Sequence, residues 1–166
     1  TEVGHKAFHI LPQALALLPE DQRPLVTHQS GAKQIESLRA NYEAAGVQAE
    51  LTPFIEDTAT AVADADLVIC RAGASTVTEL AAVGVAAIYV PFPFAVDDHQ
   101  TSNARFMVEA GGGWLMPQAD LTAEALARRL QSLTRADLLT AAQKVETQKK
   151  TNATREVVMA CEELTA

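Results

Sequence analysis

Cysteine is scarce in this chain. There are two, Cys70 and Cys161, far apart in the sequence. They have no metal-ligand spacing and cannot frame a disulfide scaffold, so a small secreted fold is excluded. Basic residues are outnumbered, 13 Lys plus Arg against 21 Asp plus Glu, for a formal net charge of −8. That balance argues against a nucleic-acid binder, which needs a basic face. It also disfavours charge-driven adhesion to an anionic bilayer. Aromatic residues make up only 5%. No apolar run approaches the roughly 20 residues that span a bilayer, and nothing at the N-terminus reads as a signal peptide. What remains is 166 residues, 48% apolar and 20% charged. This is enough for one globular domain with its own core, and the expected location is the cytoplasm.

The periodicity alternates between short apolar runs and amphipathic stretches. Helices are expected over 5–18 (interrupted by Pro12), 34–45, 58–65, 76–83, 101–110, 121–133, 135–149 and 152–164. Strands are expected over 25–28, 47–52, 66–70, 86–91 and 114–116. Gly46, Gly84 and Gly111-Gly-Gly113 stop the helices before them. The strands lack polar alternation, which marks a parallel sheet covered on both faces. The expected fold is α/β, with a doubly wound, Rossmann-like parallel sheet. Ligands in such folds sit beyond the carboxyl ends of the strands. The loops that matter are therefore 29–32, 54–57, 71–75 and 92–100.

Asp66-Leu-Val-Ile-Cys-Arg-Ala-Gly-Ala-Ser-Thr-Val-Thr-Glu79 carries the most chemistry. A strand enters a loop of small residues, Ala72, Gly73 and Ala74, and then a helix start. Small residues let a ligand approach the backbone. The helix start offers free N–H groups and a partial positive charge, which suit phosphate. Thr76-x-x-Glu79 also fits a capping box. The competing reading has Glu79 accepting both hydroxyl protons of a ribose diol. In Val90-Pro-Phe-Pro…Asp97-Asp-His-Gln-Thr-Ser-Asn103, two prolines stiffen a loop that ends in a polar cluster. His99 and Gln100 suit sugar hydroxyls or phosphate. Asp98 or Thr101 could simply cap the next helix. Asp97, Asp98 and His99 are adjacent and cannot all face one ion, so a metal site is not expected. At a further strand end, His28 could be a ligand contact or a structural histidine, and the structural reading is favoured. In Pro53-Phe-Ile-Glu-Asp57, the backbone of Ile55 could read the edge of a flat base, or Phe54 and Ile55 could be core. Cys70 reads as an inert small hydrophobe, and Asn152-Ala-Thr154 as an unused sequon.

In this order, His28-Gln-Ser-Gly31, Phe54-Ile-Glu-Asp57, Ala65 to Glu79 and Val90 to Ala104 resemble the bacterial MurG-type N-acetylglucosaminyltransferases. These enzymes complete lipid II in peptidoglycan synthesis. The resemblance runs from about residue 11 to the C-terminus and covers the C-terminal half of a two-domain GT-B glycosyltransferase. It implies a donor-binding domain for UDP-GlcNAc, with no cofactor and no metal. Ile55 would hold uracil through its backbone and Glu79 would take the ribose hydroxyls. Gly73, Ala74, Ser75 and Thr76 would line the diphosphate path, and His99 and Gln100 would contact GlcNAc. The role of Arg71 stays open. No catalytic residue is expected in this half. The general base, the binding of the lipid I acceptor and the membrane contact would belong to an absent N-terminal domain. That domain would make the full-length enzyme peripheral on the cytoplasmic face of the inner membrane. The chain alone is expected to be inactive.

The family's first strand and Gly-Gly-Ser loop are not matched. Thr1 stands about where that serine would be, with Gly4 as a candidate loop glycine and His5 or Lys6 as candidate phosphate cations. A second chain supplying the missing strand or domain is one implied partner. The alternatives are the soluble donor-binding subunit of a split N-acetylglucosaminyltransferase, as in the dolichol pathway, a non-catalytic nucleotide-sugar-binding module, and a UDP-sugar epimerase.

Overall fold

The computed structural model describes residues 2–95, 98–149, 155, 158, 159 and 161–163, with side chains described from residue 9 onward. The expected helix at 152–164, the Asn152 sequon and Asp97 lie largely or wholly outside these residues, as do the side chains of His5 and Lys6. The described chain divides into two compact units.

The first unit comprises the residues up to Ala61 together with Met116–Arg135. Helix α1 is Glu2–Ala16 and contains Pro12. Gly4 therefore lies within a helix, which removes it as a phosphate-facing loop glycine. After Glu20–Gln22, a single 3-10 turn, strand β1 is Thr27–Gln29 and strand β2 is Glu50–Thr52. They pair in parallel, with His28 opposite Leu51. The strand expected at 25–28 starts two residues later because Leu25 is fully exposed and outside the ladder. Helix α2 is Ile35–Ala45, helix α3 is Thr58–Ala63 and helix α6 is Ala123–Ser132. Pro12, Leu15, Leu38, Tyr42 and Leu126 form the buried face, and α1 packs on both α2 and α6. The apolar positions of α2, Leu38 and Tyr42, are four apart and so share one face. Thr122 caps α6 by accepting the Ala125 amide at 3.1 Å.

The second unit holds Val62–Leu115 and the residues from Ala136 onward. Strands β3 (Val68–Cys70), β4 (Ala87–Tyr89) and β5 (Gly113–Leu115) form a parallel sheet in that order. Helices α4 (Ala74–Val83), α5 (His99–Glu109) and α7 (Arg135–Glu146) complete it. The central strand β4 is wholly buried, as expected for a central parallel strand. Its core neighbours include Ala72, Leu80, Met107 and Val145. Gly84 takes the left-handed conformation that ends α4, donating its N–H to Leu80 at 2.8 Å.

Candidate functional site

The loop after β3 delivers α4 two residues earlier than its sequence suggests. Gly73 is the N-cap, in extended conformation, and Ala74 is the first helical residue. The first intrahelical bond runs from the Val77 amide to the Gly73 carbonyl at 3.0 Å. The amides of Ala74, Ser75 and Thr76 precede it and have no intrahelical acceptor, and no side chain caps this helix. Ala74 and Ser75 are exposed. A Cβ at Gly73 would meet only Thr76 Oγ1, at 3.8 Å, an ordinary contact, among the described residues.

The two-residue shift also decides the capping-box question. A box needs its threonine at the N-cap and its glutamate three residues later. Thr76 and Glu79 are instead the third and sixth helical residues. Glu79 is exposed and has no hydrogen bond or ion pair among the described residues. Its carboxylate is left with all its acceptor capacity.

The loop after β4 is tied down by side chains. Arg71 Nη1 donates to the carbonyls of Val90 and Pro91, both at 3.1 Å. Its guanidinium lies 5.7 Å from the centroid of the Phe92 ring. Asn103 Nδ2 donates to the Ala72 carbonyl at 3.0 Å. The Phe92 amide donates to Gln100 Oε1 at 3.0 Å. Three side chains thus join the β3–α4 loop, the β4–α5 loop and α5. Arg71 acquires a role here that its sequence left open. Partial burial lowers its guanidinium pKa, but arginine stays charged.

Helix α5 starts at His99, two residues before the expected Thr101. His99 and Gln100 therefore sit in its first turn. His99 is exposed. Asp98, the N-cap, has φ of 52° and accepts the Thr101 hydroxyl at 2.5 Å rather than a backbone amide. Both capping candidates are thus engaged with each other. Gln100 and Asn103 are three apart and share a face. That spacing was visible in the sequence, but Asn103 was missed because its partner lies 31 residues away.

In the first unit, His28 Nδ1 lies 3.1 Å from the Tyr42 hydroxyl, with the rings edge to face. Burial lowers the His28 pKa to about 4 and raises that of Tyr42. Neutral and partnered, His28 is a structural histidine. Asp57 accepts the Thr60 amide at 3.0 Å and the Thr60 hydroxyl at 2.6 Å, which caps α3 and lowers the pKa of its own carboxyl. The Ile55 amide donates to Gln29 Oε1 at 3.0 Å. In the second unit, burial pushes the Cys70 thiol up to about 12, which suppresses the thiolate needed of a nucleophile.

The structure thus brings together Gly73, Ala74, Ser75, Thr76 and Glu79 on one helix. Gln100 is placed on the loop clasp and His99 beside it. Ile55 belongs to the other unit. Among the described residues no group of three or more His, Cys, Asp or Glu could hold a metal ion. No described helix is long and apolar enough to cross a membrane.

Residues 5–158 match the glycosyltransferase family 28 C-terminal domain. Over 165 residues the chain is 67% identical to a UDP-N-acetylglucosamine–N-acetylmuramyl-(pentapeptide) pyrophosphoryl-undecaprenol N-acetylglucosamine transferase of Paracidovorax citrulli. The match covers 99% of this chain and 46% of that protein. The same enzyme of a Polaromonas species is 68% identical over 98% of this chain and 42% of its own length. The chain therefore spans less than half the length of these relatives. Among solved structures, it is similar to MurG of Acinetobacter baumannii, with a TM-score of 0.87 and 42% identity over 96% of this chain and 49% of that one. The glycosyltransferase VinC, solved with dTDP, shares the fold at a TM-score of 0.68 and 17% identity, over 98% of this chain and 40% of its own.

Proposed function

The chain belongs to the family of glycosyltransferase family 28 C-terminal domains, and from that premise we propose that it is the donor-binding half of the enzyme that makes lipid II. The donor is UDP-GlcNAc. The acceptor, undecaprenyl-diphospho-MurNAc-pentapeptide (lipid I), is bound by the other half. The full enzyme works peripherally, on the cytoplasmic face of the inner membrane.

The observation that carries this reading is a carboxylate that has no partner among the described residues, on a helix whose first amides have none among them either. In α4, Glu79 is exposed and uncommitted, and no side chain caps the amides of Ala74, Ser75 and Thr76. Glu79 accepts the two ribose hydroxyls, for which one carboxylate suffices. The amides at the helix start, with Gly73 as the N-cap, take the diphosphate oxygens. His99 and Gln100 address the GlcNAc hydroxyls, with Gln100 held in place by the Phe92 amide. Ile55 is assigned the uracil through its backbone.

In the transfer step, an acceptor hydroxyl oxygen bonds to the anomeric carbon of GlcNAc with inversion. The bond from that carbon to the β-phosphate oxygen breaks, and its electron pair leaves with UDP. The hydroxyl proton passes to a base in the other half. The amides of α4 act where negative charge grows on the departing diphosphate. Being fixed in the helix, they need no reorganisation as it develops. On this reading the chain binds donor and does not turn it over alone.

Calorimetric titration with UDP-GlcNAc, UDP-GalNAc and UDP tests the proposal. Binding that prefers UDP-GlcNAc is expected. Glu79→Ala removes charge-assisted hydrogen bonds and should weaken UDP by at least about tenfold. Silence towards all three ligands, or an unaltered affinity in Glu79→Ala, overturns it.

A further inference from the structure

At the carboxyl end of β1, the chain occupies one of its own recognition groups. Gln29 is the last residue of β1 and stands opposite Thr52 of β2. Its neighbour His28 is directed to Tyr42, so the alternation of strand side chains puts Gln29 on the opposite face. Parallel pairing continues past the strands, with the Ser30 amide on Thr52 and the Gly31 amide on Pro53 at 3.2 and 3.0 Å. The Thr52 hydroxyl then turns the chain. It donates to the Phe54 carbonyl at 2.7 Å and accepts the Phe54 amide at 3.3 Å. This turn returns Ile55 to the end of β1, where its amide donates to Gln29 Oε1 at 3.0 Å. Both residues of this bond are accessible, so a ligand can reach it. Gln29 has no other polar partner among the described residues.

The chemistry of the occupant is informative. A carboxamide carries a carbonyl acceptor beside an N–H donor. The imide edge of uracil carries the same pair. The Ile55 amide is thus held by a group that copies the edge it is proposed to read.

We infer that Gln29 is a latch on the base-reading backbone: its carboxamide occupies the Ile55 amide until a nucleobase carbonyl displaces it. This rests on the assignment of uracil to Ile55. The latch lowers affinity for every ligand, because entry breaks the Gln29 bond. That cost is common to all ligands, so discrimination comes from the amide itself: a ligand with an acceptor at that position replaces the bond. One that lacks it leaves the amide unpaired. Gln29 is a positioning residue and need not touch the nucleotide.

Two substitutions move the latch in opposite directions. Gln29→Ala removes the competitor, so uridine should bind about two- to tenfold more tightly, the equivalent of one exposed neutral hydrogen bond. Gln29→Glu, measured above pH 6, replaces the carbonyl by a carboxylate. The charge-assisted bond is stronger, so uridine should bind about two- to tenfold more weakly. Uridine is the probe because it carries no charge for the new carboxylate to repel. Titrations followed by NMR give the affinities, and exchange of the Ile55 amide proton in the free protein should quicken in Gln29→Ala. Circular dichroism checks that both variants fold. Weaker uridine binding in both variants makes Gln29 a direct base contact and overturns the latch. Unchanged affinities with unchanged Ile55 exchange also overturn it. If the parent protein binds neither uridine nor UDP, the assignment of the base to Ile55 fails, and the latch with it. If the parent binds both and the Gln29 variants depart from these expected directions, the latch alone fails.

Discussion

Replacing Arg71 by alanine separates two roles for the cation that opens the β3–α4 loop: a tie between strands and a ligand for phosphate. The tie has a calculable worth. Two of its hydrogen bonds, each 3.1 Å, share a single nitrogen, Nη1. They count as little more than one charge-assisted bond, roughly 1.5–3 kcal/mol. Val90 is only 3% exposed, so water cannot easily replace the lost donor at its carbonyl. The guanidinium over Phe92, 5.7 Å from the centroid, adds about 0.5–1 kcal/mol at a partly exposed site. Arg71→Ala should therefore cost about 2–4 kcal/mol. With a urea slope of about 2 kcal/mol per molar, the middle of the usual range, the unfolding midpoint falls by about 1–2 M. Arg71→Lys keeps the charge but loses the planar fork and the stacking, so it should recover about half of the loss. Urea titrations of the three proteins by circular dichroism measure this, and UDP titration of the same samples gives the affinity. The loop to Gln100 loosens in Arg71→Ala, so UDP-GlcNAc should weaken more than UDP. The reasoning is refuted if Arg71→Ala unfolds within about 0.5 kcal/mol of the parent while UDP binding is abolished. Arg71 would then be a phosphate ligand.

Gly113→Ala should be severely destabilising, by about 4 kcal/mol or more. A Cβ there would lie 2.2 Å from the Ala87 carbonyl oxygen, in the neighbouring buried strand, on a backbone of φ +155°. Thermal and urea unfolding check this, and a loss under about 1 kcal/mol refutes it. His28 predicts an acid dependence of stability. Its native pKa, about 4, lies below the ordinary value of 6.5, so in that window the unfolded chain binds the proton and the native chain does not. Its contribution is complete above about pH 6.5 and is lost as the pH falls towards 4, by roughly 1–3 kcal/mol. The stability of His28→Phe, followed from pH 7 to pH 4, should fall less steeply than that of the parent. Equal slopes refute the assignment.

Much of the fold was legible because local pattern carries it. The unbroken apolar runs before Cys70 and before Pro91 mark parallel strands without reference to anything distant, and Gly84 marks the end of α4. The misread starts of α4 and α5 have a physical cause. Ala74 and Ser75 are small enough to read as loop, and His99 and Gln100 are polar enough to read as site. Neither property opposes helix, and both pairs are helical. An error of two residues is small for the fold but decisive for Glu79, since it turns one half of a capping pair into an uncommitted carboxylate.

The candidate site shows where pattern stops. Arg71, Gln100 and Asn103 stand in the same two motifs as Glu79 and Ser75, and composition gives no reason to separate them. Their partners do. Arg71 reaches carbonyls 19 and 20 residues away, and Asn103 one 31 residues away, distances at which no periodicity survives. Arg71 and Asn103 donate to backbone carbonyls and Gln100 accepts a backbone amide, whereas Glu79 spends none of its acceptors among the described residues. A motif is therefore a mixture of groups that meet a ligand and groups that hold those in place. Polar residues committed to backbone belong to the second kind until a ligand displaces them. Gln29 is the case in which displacement is the point. It is bonded like Asn103, to a backbone group, but through an exposed carboxamide on a backbone amide assigned to a base. The same hydrogen-bond chemistry thus serves as a fixed tie in one loop and as an exchangeable one in another. The difference lies in whether a ligand can reach the bond with a group of the same kind.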